Sequence, residues 1–306
     1  MHVPNTARRS VIFVGDCNDR GHFRPRATGF FVCVPTSNKR LLCPYLVTAE
    51  HVVVMLQERQ KPIFCRLNLR DGTASVQPLD VSHWWYHPAA EREATDVAVA
   101  AVRLNWDLVD HDCIPMPERW EANPSALSKR AIGLGDETFA IGLFRHHAGS
   151  ERNIPIVRIG NIAALPEEAF RTRQGLMKAY LVEMRSIAGL SGSPVFVDLP
   201  SAGPPMAYWG GISDPRIKPP DPEQVNWFRY RFLGLIHGHF DIPNLAEDSV
   251  VEDDDAAESG GINTGIGIVV PAEKITETLY QSDLQQERDK IESNFDANCS
   301  VRPDAP

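Results

Sequence analysis

A short turn rich in glycine and serine carries the first candidate for chemistry in this sequence. It reads Gly189-Leu190-Ser191-Gly192-Ser193-Pro194. Glycines on both sides of a serine allow backbone conformations that residues with a Cβ avoid, and the proline fixes the exit from the turn. Such a turn can present the Ser191 hydroxyl together with the main-chain N–H groups of Gly189 and Ser191, the donors that an oxyanion hole needs. An ordinary loop is the alternative interpretation, since most turns of this composition are only loops.

Two groups upstream could serve such a nucleophile. His51 follows Thr48 at the point where a predicted strand ends, so its imidazole can be partly shielded yet reachable; a structural histidine is the alternative. Asp96 heads the nearly continuous apolar run Val97 to Val102, which is typical of a buried strand. Burying a carboxylate is costly unless donors surround it, so Asp96 either finds such a partner or caps a turn at the strand's edge.

The elements that must position these residues are predicted to be strands. Short apolar runs between turn signals, with 24 Pro and 21 Gly among 306 residues, favour an all-β architecture. The run from Thr28 to Val34, a polar turn and the run from Leu41 to Thr48 form a hairpin pattern, and this hairpin delivers His51 to the end of a strand.

Composition along the chain indicates two halves. The first, 11–115, carries His51 and Asp96, and the second, 133–270, carries Ser191. The other predicted segments are a linker rich in Pro, Glu, Asn and Ser, 116–132; two inserts, 199–229 and 241–262; a C-terminal helix, 271–294, whose first turn suits Pro271; and a tail, 295–306.

Charge and composition exclude several classes of protein. A formal net charge of −9 argues against a nucleic-acid partner, which needs a basic face. No apolar stretch approaches the length of a membrane span, and the run Val11 to Val14 is interrupted by Gly15-Asp16 too soon for an export signal. We therefore expect a cytoplasmic protein, with neither a nucleic-acid nor a membrane partner.

The six cysteines are scattered and form no C-x-x-C pair, so they indicate free thiols in a reducing compartment rather than a metal site. A bridge between Cys33 and Cys43 across the predicted hairpin is the alternative. No cofactor is expected.

Three other patterns have a conceivable ligand chemistry and a simpler interpretation. His83 and His87 are four residues apart, but the aromatic residues between them and the proline that follows favour an extended segment over a helical metal site. His237 and His239 share one face of a predicted strand and could bind a metal. The glycines of 133–142 lack the Gly-Lys-Ser/Thr of a phosphate loop, so a turn leading into a strand is favoured. No metal is expected.

Taken together, Thr48-Ala49-Glu50-His51, Thr95-Asp96-Val97-Ala98-Val99 and the turn around Ser191 occur in the order His, Asp, Ser. In these motifs the chain resembles trypsin-like serine proteases of the chymotrypsin fold, of bacterial type, over roughly residues 11–279. The resemblance implies two six-stranded antiparallel β-barrels followed by a C-terminal α-helix. It also implies that Ser191 is the nucleophile, His51 its general base and then acid, Asp96 the group that orients His51, and Gly189 and Ser191 the oxyanion donors.

The chain also departs from this family. Leu190 stands where secreted relatives have an aspartate that pairs with a newly cleaved N-terminus, which excludes activation by that ion pair. His237 stands where relatives place a serine that touches the catalytic aspartate. Arg185, six residues before the nucleophile, occupies the position that floors the primary pocket in this family. With Ser186, His237 and His239 it predicts a substrate pocket for acidic side chains, unless Arg185 points outward toward a surface carboxylate.

The sequence thus predicts a serine endopeptidase that acts on proteins or peptides and has a possible regulatory protein partner. Two alternatives stay open. One is a catalytically silent protease-like module that binds a partner. The other is an esterase that uses the same acyl-enzyme chemistry.

Overall fold

Two β-sheets make up most of the structure, which is a computed structural model. It describes residues 3–38, 41–79, 84–89, 93–116, 132–184, 189–199, 230–242, 249–251 and 262–300. The predicted linker 116–132 and the predicted insert 199–229 therefore lie almost entirely outside the described residues.

The first sheet follows a short helix, α1 (Asn5–Arg9), and contains eight strands. These are β1 (Val11–Cys17), β2 (Phe23–Pro35), β3 (Leu42–Thr48), β4 (Phe64–Asn68), β5 (Ala74–Pro78), β6 (Trp85–Tyr86), β7 (Ala98–Ala101) and β8 (Ile114–Pro115). Their order is β5-β4-β1-β2-β3-β7-β6 with antiparallel neighbours, and β8 pairs with β2 in parallel. A helix, α2 (Glu50–Glu58), follows β3 almost directly.

The second sheet closes into a barrel. Its strands are β9 (Glu137–Gly142), β10 (Ile156–Ala164), β13 (Tyr180–Glu183), β14 (Pro194–Asp198), β15 (Tyr230–Ile242), β16 (Ser249–Val251) and β17 (Ile262–Pro271), with a separate hairpin of β11 (Phe170–Thr172) and β12 (Gly175–Met177) between β10 and β13. The order is β14-β9-β10-β13-β17-β15-β16, and β14 also pairs with β15. That pairing closes six strands into a barrel and leaves β16 beside it.

This architecture confirms the predicted all-β class and the two-barrel chymotrypsin fold. The strands differ from the prediction in two places. The first sheet has eight strands rather than six, because the two-residue strands β6 and β8 extend it. The segment 241–262 is not wholly an insert, since β16 lies within it and β15 and β17 reach into its ends.

Aromatic side chains join the two sheets at the seam where the candidate site lies. Phe30 of β2 meets Phe232 of β15 edge to face, with ring centroids 5.5 Å apart. Within the second sheet, Phe139 stacks on Phe196 at 5.1 Å. All but Phe232 are completely buried, and even Phe232 is only 4% exposed. Burial of such large apolar side chains is the main stabilising term of the seam, which makes it a rigid support for the site.

The cysteines of the β2–β3 hairpin are free thiols, so the alternative of a Cys33–Cys43 bridge was wrong. Cys43 lies opposite Val34, and Cys33 lies opposite Pro44. The two cysteines are thus offset by one position, and successive side chains of a strand point to opposite faces of a sheet. Their Cβ atoms diverge, and no bridge can form without backbone movement.

The C-terminal segment forms two helices where the sequence indicated one. They are α3 (Ala272–Leu279) and α4 (Ser282–Ser300), so α4 continues into the predicted tail 295–306. The break lies at Tyr280 and Gln281, where the Gln281 side chain donates to the carbonyls of Thr278 (3.1 Å) and Tyr86 (2.7 Å). No described helix has the length and apolar composition needed to cross a membrane.

Helix α4 packs back on the first sheet. The Arg288 side chain is completely buried and donates to the Tyr45 hydroxyl of β3 (3.1 Å) and to the Leu279 carbonyl (2.8 Å). Its guanidinium lies 5.0 Å from the centre of the Tyr280 ring, a cation–π distance. One turn further along, Glu292 accepts a hydrogen bond from the Thr36 hydroxyl at 2.5 Å. The end of the chain therefore completes the packing of the half that carries His51.

A buried histidine ties α1 to β4 and makes stability depend on pH. The Nδ1–H of His111 donates to the Arg9 carbonyl (2.7 Å), while its Nε2 accepts the main-chain N–H of Asn68 (2.8 Å). Protonation of Nε2 would place a second imidazole N–H opposite the main-chain N–H of Asn68, so that two donors would face each other. Burial, which outweighs the bond to Arg9, lowers the pKa of His111 to about 4.

We expect the free energy of unfolding to fall as pH decreases from about 6.5 to about 4, by up to about 3 kcal/mol from His111 alone. The sign follows because the unfolded chain binds a proton at His111 in this range and the folded chain does not. Urea unfolding at a series of pH values measures it. His111→Gln should flatten the pH dependence, whereas His22→Gln, at an exposed histidine, should not. Equal pH dependence in the wild type and His111→Gln would contradict this account.

Candidate active site

The three residues singled out by the sequence lie on separate elements that meet at the seam. His51 lies in the first turn of α2, Asp96 precedes β7, and Ser191 lies in the turn before β14. Gly192 allows this approach: its φ is +79°, and an added Cβ would overlap the Thr28 carbonyl and crowd the Thr48 hydroxyl. Only glycine lets the turn lie this close to the middle of β2 and the end of β3.

A continuous chain of hydrogen bonds joins the three side chains. His51 Nδ1 lies 2.7 Å from Asp96 Oδ2, and His51 Nε2 lies 3.2 Å from Ser191 Oγ. The main-chain N–H of His51 also donates to Asp96 Oδ1 at 2.9 Å. Because an ionised carboxylate can only accept, the proton of the neutral imidazole lies on Nδ1, and Nε2 is left as an acceptor directed at the hydroxyl.

Asp96 is completely buried, and its surroundings keep it ionised. Burial alone would raise the pKa of its carboxyl, but the electrostatic attraction and hydrogen bonds of the His51 and His237 imidazoles hold that pKa well below its usual value. Besides the two bonds from His51, Oδ2 receives His237 Nδ1 at 2.6 Å, and Oδ1 receives Gln174 Nε2 at 3.4 Å. The buried charge thus has the partners that the sequence analysis required of it.

The turn around Ser191 is held rigidly by β2. Thr28 donates its main-chain N–H to the Ser191 carbonyl (3.0 Å) and its hydroxyl to the Gly189 carbonyl (2.7 Å). Within the turn, the Ser193 N–H donates to the Leu190 carbonyl at 2.8 Å. The Leu190 carbonyl and the Ser191 N–H belong to the same peptide group, and in a trans peptide these two groups point in opposite directions. Because the Leu190 carbonyl points into the turn, the N–H of Ser191 points away from the interior of the turn. Gly189, with φ +99°, takes a conformation that favours glycine.

His237 lies at an irregularity of β15 rather than in a substrate pocket. The register between β15 and β17 shifts between Ile236 and Gly238, so His237 is an extra residue on its strand, a β-bulge. Its imidazole is completely buried and faces Asp96. This corrects its assignment to the pocket and agrees with the family position at which a side chain touches the aspartate.

The other predicted pocket residues are less informative. Arg185 and Ser186 lie outside the described residues, so the pocket for acidic side chains stays a prediction. His239 is buried on β15 and pairs in register with Gly267.

Two site residues were not foreseen. Glu50 precedes His51 and is half-buried; burial and the charge of Asp96 raise the pKa of its carboxyl to about 7. Glu50 belongs to the motif Thr48-Ala49-Glu50-His51, so its place directly before His51 in the sequence could have indicated that it lies in the site. Gln174 reaches Asp96 from the connection between β11 and β12, and nothing in the sequence marks that hairpin as a neighbour of Asp96.

Among the described residues, one group could offer three ligands to a metal: His51, Asp96 and His237. The hydrogen bonds within this group fit protonated imidazole nitrogens that donate to Asp96 better than they fit a metal ion. His237 Nε2 is buried and has no hydrogen-bond partner among the described residues, so the proton belongs on Nδ1, facing Asp96. A metal on Nδ1 would move that proton to a position without an acceptor. Of the other predicted pair, His83 is outside the described residues and His87 contacts Glu277 at 2.5 Å.

Comparisons with known proteins give the following. No protein-family model matches the chain, and no curated protein sequence matches it. Among solved structures, the chain is similar to the apo form of the MamO protease domain from Magnetospirillum magneticum, with 14% identity, coverage of 90% of this chain and 98% of that chain, and a TM-score of 0.47. It is also similar to Deg5, with 14% identity, coverage of 62% and 75%, and a TM-score of 0.38. The fold assignment rests on the strand order above and not on these scores.

Proposed function

We propose that this chain is a serine endopeptidase that hydrolyses peptide bonds in proteins or peptides through an acyl-enzyme intermediate. The observation that carries the proposal is the chain of hydrogen bonds from Asp96 Oδ2 through both nitrogens of His51 to Ser191 Oγ, at 2.7 and 3.2 Å. Such a chain can activate a hydroxyl that is otherwise a weak nucleophile near neutral pH.

In the proposed reaction, Ser191 Oγ attacks the carbonyl carbon of the scissile bond while its proton passes to His51 Nε2. Asp96 stabilises the imidazolium that forms, and the main-chain N–H groups of Gly189 and Ser191 hold the negative oxygen. His51 then gives the proton to the departing amine as the C–N bond breaks. A water molecule, deprotonated by His51, attacks the ester and releases the acid, and the proton returns to Ser191.

Covalent labelling with a fluorophosphonate tests the proposal. We expect the wild type to be modified at Ser191 Oγ, and the labelling rate to fall as pH decreases below about 6.5, because a protonated imidazole cannot accept the serine proton. Peptide mapping by mass spectrometry identifies the modified residue, and Ser193→Ala, at a buried serine of the same turn, should label like the wild type. A folded wild type that stays unlabelled, or label on another residue, would contradict the proposal.

A silent protease-like binding module is the second candidate, and one contact favours it. The Ser191 hydroxyl donates to the His237 carbonyl at 3.1 Å, so its proton has an acceptor other than His51. In this candidate, Ser191→Ala leaves the biological effect intact. An esterase differs only in the leaving group, and a panel of matched peptide and ester substrates distinguishes the two.

The proposal extends to the surroundings of the enzyme. The proposed substrates are proteins or peptides. The proposal includes a possible regulatory protein partner and no nucleic-acid or membrane partner. A cytoplasmic location is also part of the proposal, and fractionation of cells that express the chain tests it.

A further inference from the structure

The buried carboxylate of Asp96 serves two imidazoles rather than one. Its Oδ2 lies 2.7 Å from His51 Nδ1 and 2.6 Å from His237 Nδ1. The two rings meet edge to face, with centroids 5.5 Å apart and planes at 87°. The proposed reaction uses only His51, so the second imidazole needs an explanation of its own.

The backbone around His237 fixes where its ring points. The neighbouring residue, Ile236, donates its N–H to the Ser193 carbonyl (2.9 Å) and accepts the Gly192 N–H (2.8 Å). The strand is therefore joined to the Ser191 turn immediately before the bulge at His237. A bulge in a β-strand redirects a side chain, and here it directs the imidazole to Asp96 while the main-chain carbonyl of the same residue faces Ser191 Oγ.

The protonation of His237 follows from what surrounds each nitrogen. Nδ1 faces a carboxylate, which only accepts, and Nε2 is buried without a hydrogen-bond partner among the described residues. A cationic ring would need an acceptor at Nε2 as well. The neutral form with its proton on Nδ1 satisfies the site.

We infer that His237 is a positioning residue: its neutral Nδ1–H holds the Asp96 carboxylate against His51 and shares the negative charge that would otherwise act on His51 alone. The inference rests on the proposed function for its effect on turnover. Its structural part, two imidazole N–H groups on one carboxylate oxygen, stands independently of catalysis.

This arrangement affects the pH dependence of activity. A second donor on Oδ2 weakens the stabilisation of the His51 cation, so it keeps His51 neutral and able to act as a base at lower pH. Other described groups that face this pair include Gln174, which does not titrate, and Glu50, whose pKa is raised to about 7 by burial and by the Asp96 charge. Because Glu50 titrates in the range of interest, the pH profiles are measured in a Glu50→Gln background.

Two amide substitutions test the inference. His237→Asn can place an N–H where Nδ1–H lies, whereas His237→Gln carries its amide one bond further out, nearer the position of Nε2. We expect His237→Gln to lower kcat by about 10- to 100-fold with little change in KM, and to move the acid limb of kcat/KM to higher pH. His237→Asn should retain both properties of the wild type. Equal behaviour of the two variants, or unchanged pH profiles in both, would overturn the inference.

Histidine NMR gives a measurement that does not depend on activity. With ¹⁵N-labelled histidine, the wild type should show two strongly deshielded Nδ1–H protons, one from His51 and one from His237. His237→Asn should lose one of them, and Asp96→Asn should shift both. If the fluorophosphonate fails to label the wild type, the proposed function fails, yet two such protons still support the shared carboxylate. Only one such proton in the wild type would overturn the inference even in an active enzyme.

Discussion

If the proposed function holds, Ser191→Ala should lower kcat for a peptide substrate by about 10⁶-fold, the loss measured when the nucleophilic serine is removed from a known serine protease. Alanine removes the atom that attacks the substrate, the hydroxyl oxygen that lies 3.2 Å from His51 Nε2. Asp96 keeps the four hydrogen bonds that the described residues donate to it, two from His51, one from His237 and one from Gln174. The supporting groups therefore stay in place. Progress curves with a quenched fluorescent peptide measure the effect.

The same turn provides a matched control for this experiment. Ser193 is also completely buried, and its hydroxyl has no hydrogen-bond partner among the described residues. Ser193→Ala therefore removes a buried hydroxyl at little cost and should retain most of the activity. A Ser191→Ala enzyme as active as Ser193→Ala would show that hydrolysis occurs elsewhere.

Asp96→Asn should lower kcat by about 10⁴-fold, as the same exchange does in the trypsin template. Among the described residues, the groups that hydrogen-bond to this carboxylate all donate: the His51 and His237 Nδ1–H groups to Oδ2, and the His51 N–H and the Gln174 amide to Oδ1. An asparagine must direct its NH₂ at one of these pairs, whichever way its amide is oriented. With the NH₂ at the Oδ2 position, the imidazole of His51 loses its acceptor or takes the wrong tautomer. With the NH₂ at the Oδ1 position, it opposes the His51 main-chain N–H and the Gln174 amide instead.

The exchange should also remove a pH-dependent contribution to stability. The pKa of Asp96 is lower in the folded chain than in the unfolded chain, so the carboxylate stabilises the fold above its ordinary pKa of about 3.9, and the contribution is lost as pH falls below that value. The wild type should therefore exceed Asp96→Asn in stability at neutral pH, and the difference should shrink below about pH 4.

Asp110→Asn is the control for Asp96→Asn. Asp110 is a partly buried carboxylate that bridges Arg9 and Arg152 outside the site. Its exchange should change stability slightly and kcat very little. Activity of folded Asp96→Asn within tenfold of Asp110→Asn would contradict the role assigned to Asp96.

Which features could be predicted from the sequence depends on how local their causes are. A glycine-flanked serine and an aspartate at the head of an apolar run carry their chemistry in a few adjacent residues, and the structure brings Ser191, His51 and Asp96 together. The helical break at Tyr280 was missed because its cause is distant: Gln281 bonds to Tyr86, and Arg288 packs on Tyr45.

The bulge at His237 shows the same limit. Its sequence, Ile236-His237-Gly238-His239, reads as a regular strand whose histidines share a face, which is the ground for the metal interpretation. The register with β17 decides otherwise, because one extra residue redirects every side chain relative to the partner strand. The contact of Gln174 with Asp96 likewise depends on where a short hairpin folds, which no periodicity encodes.

The return of α4 to the first sheet sets an order for biosynthesis. While the ribosome is still translating the second barrel, Tyr45 lacks Arg288 and Thr36 lacks Glu292, so the half that carries His51 leaves the exit tunnel with its packing unfinished. Helix α4, which is synthesised after Ser191, supplies those contacts. A nascent or prematurely terminated chain thus lacks these contacts between α4 and the first sheet.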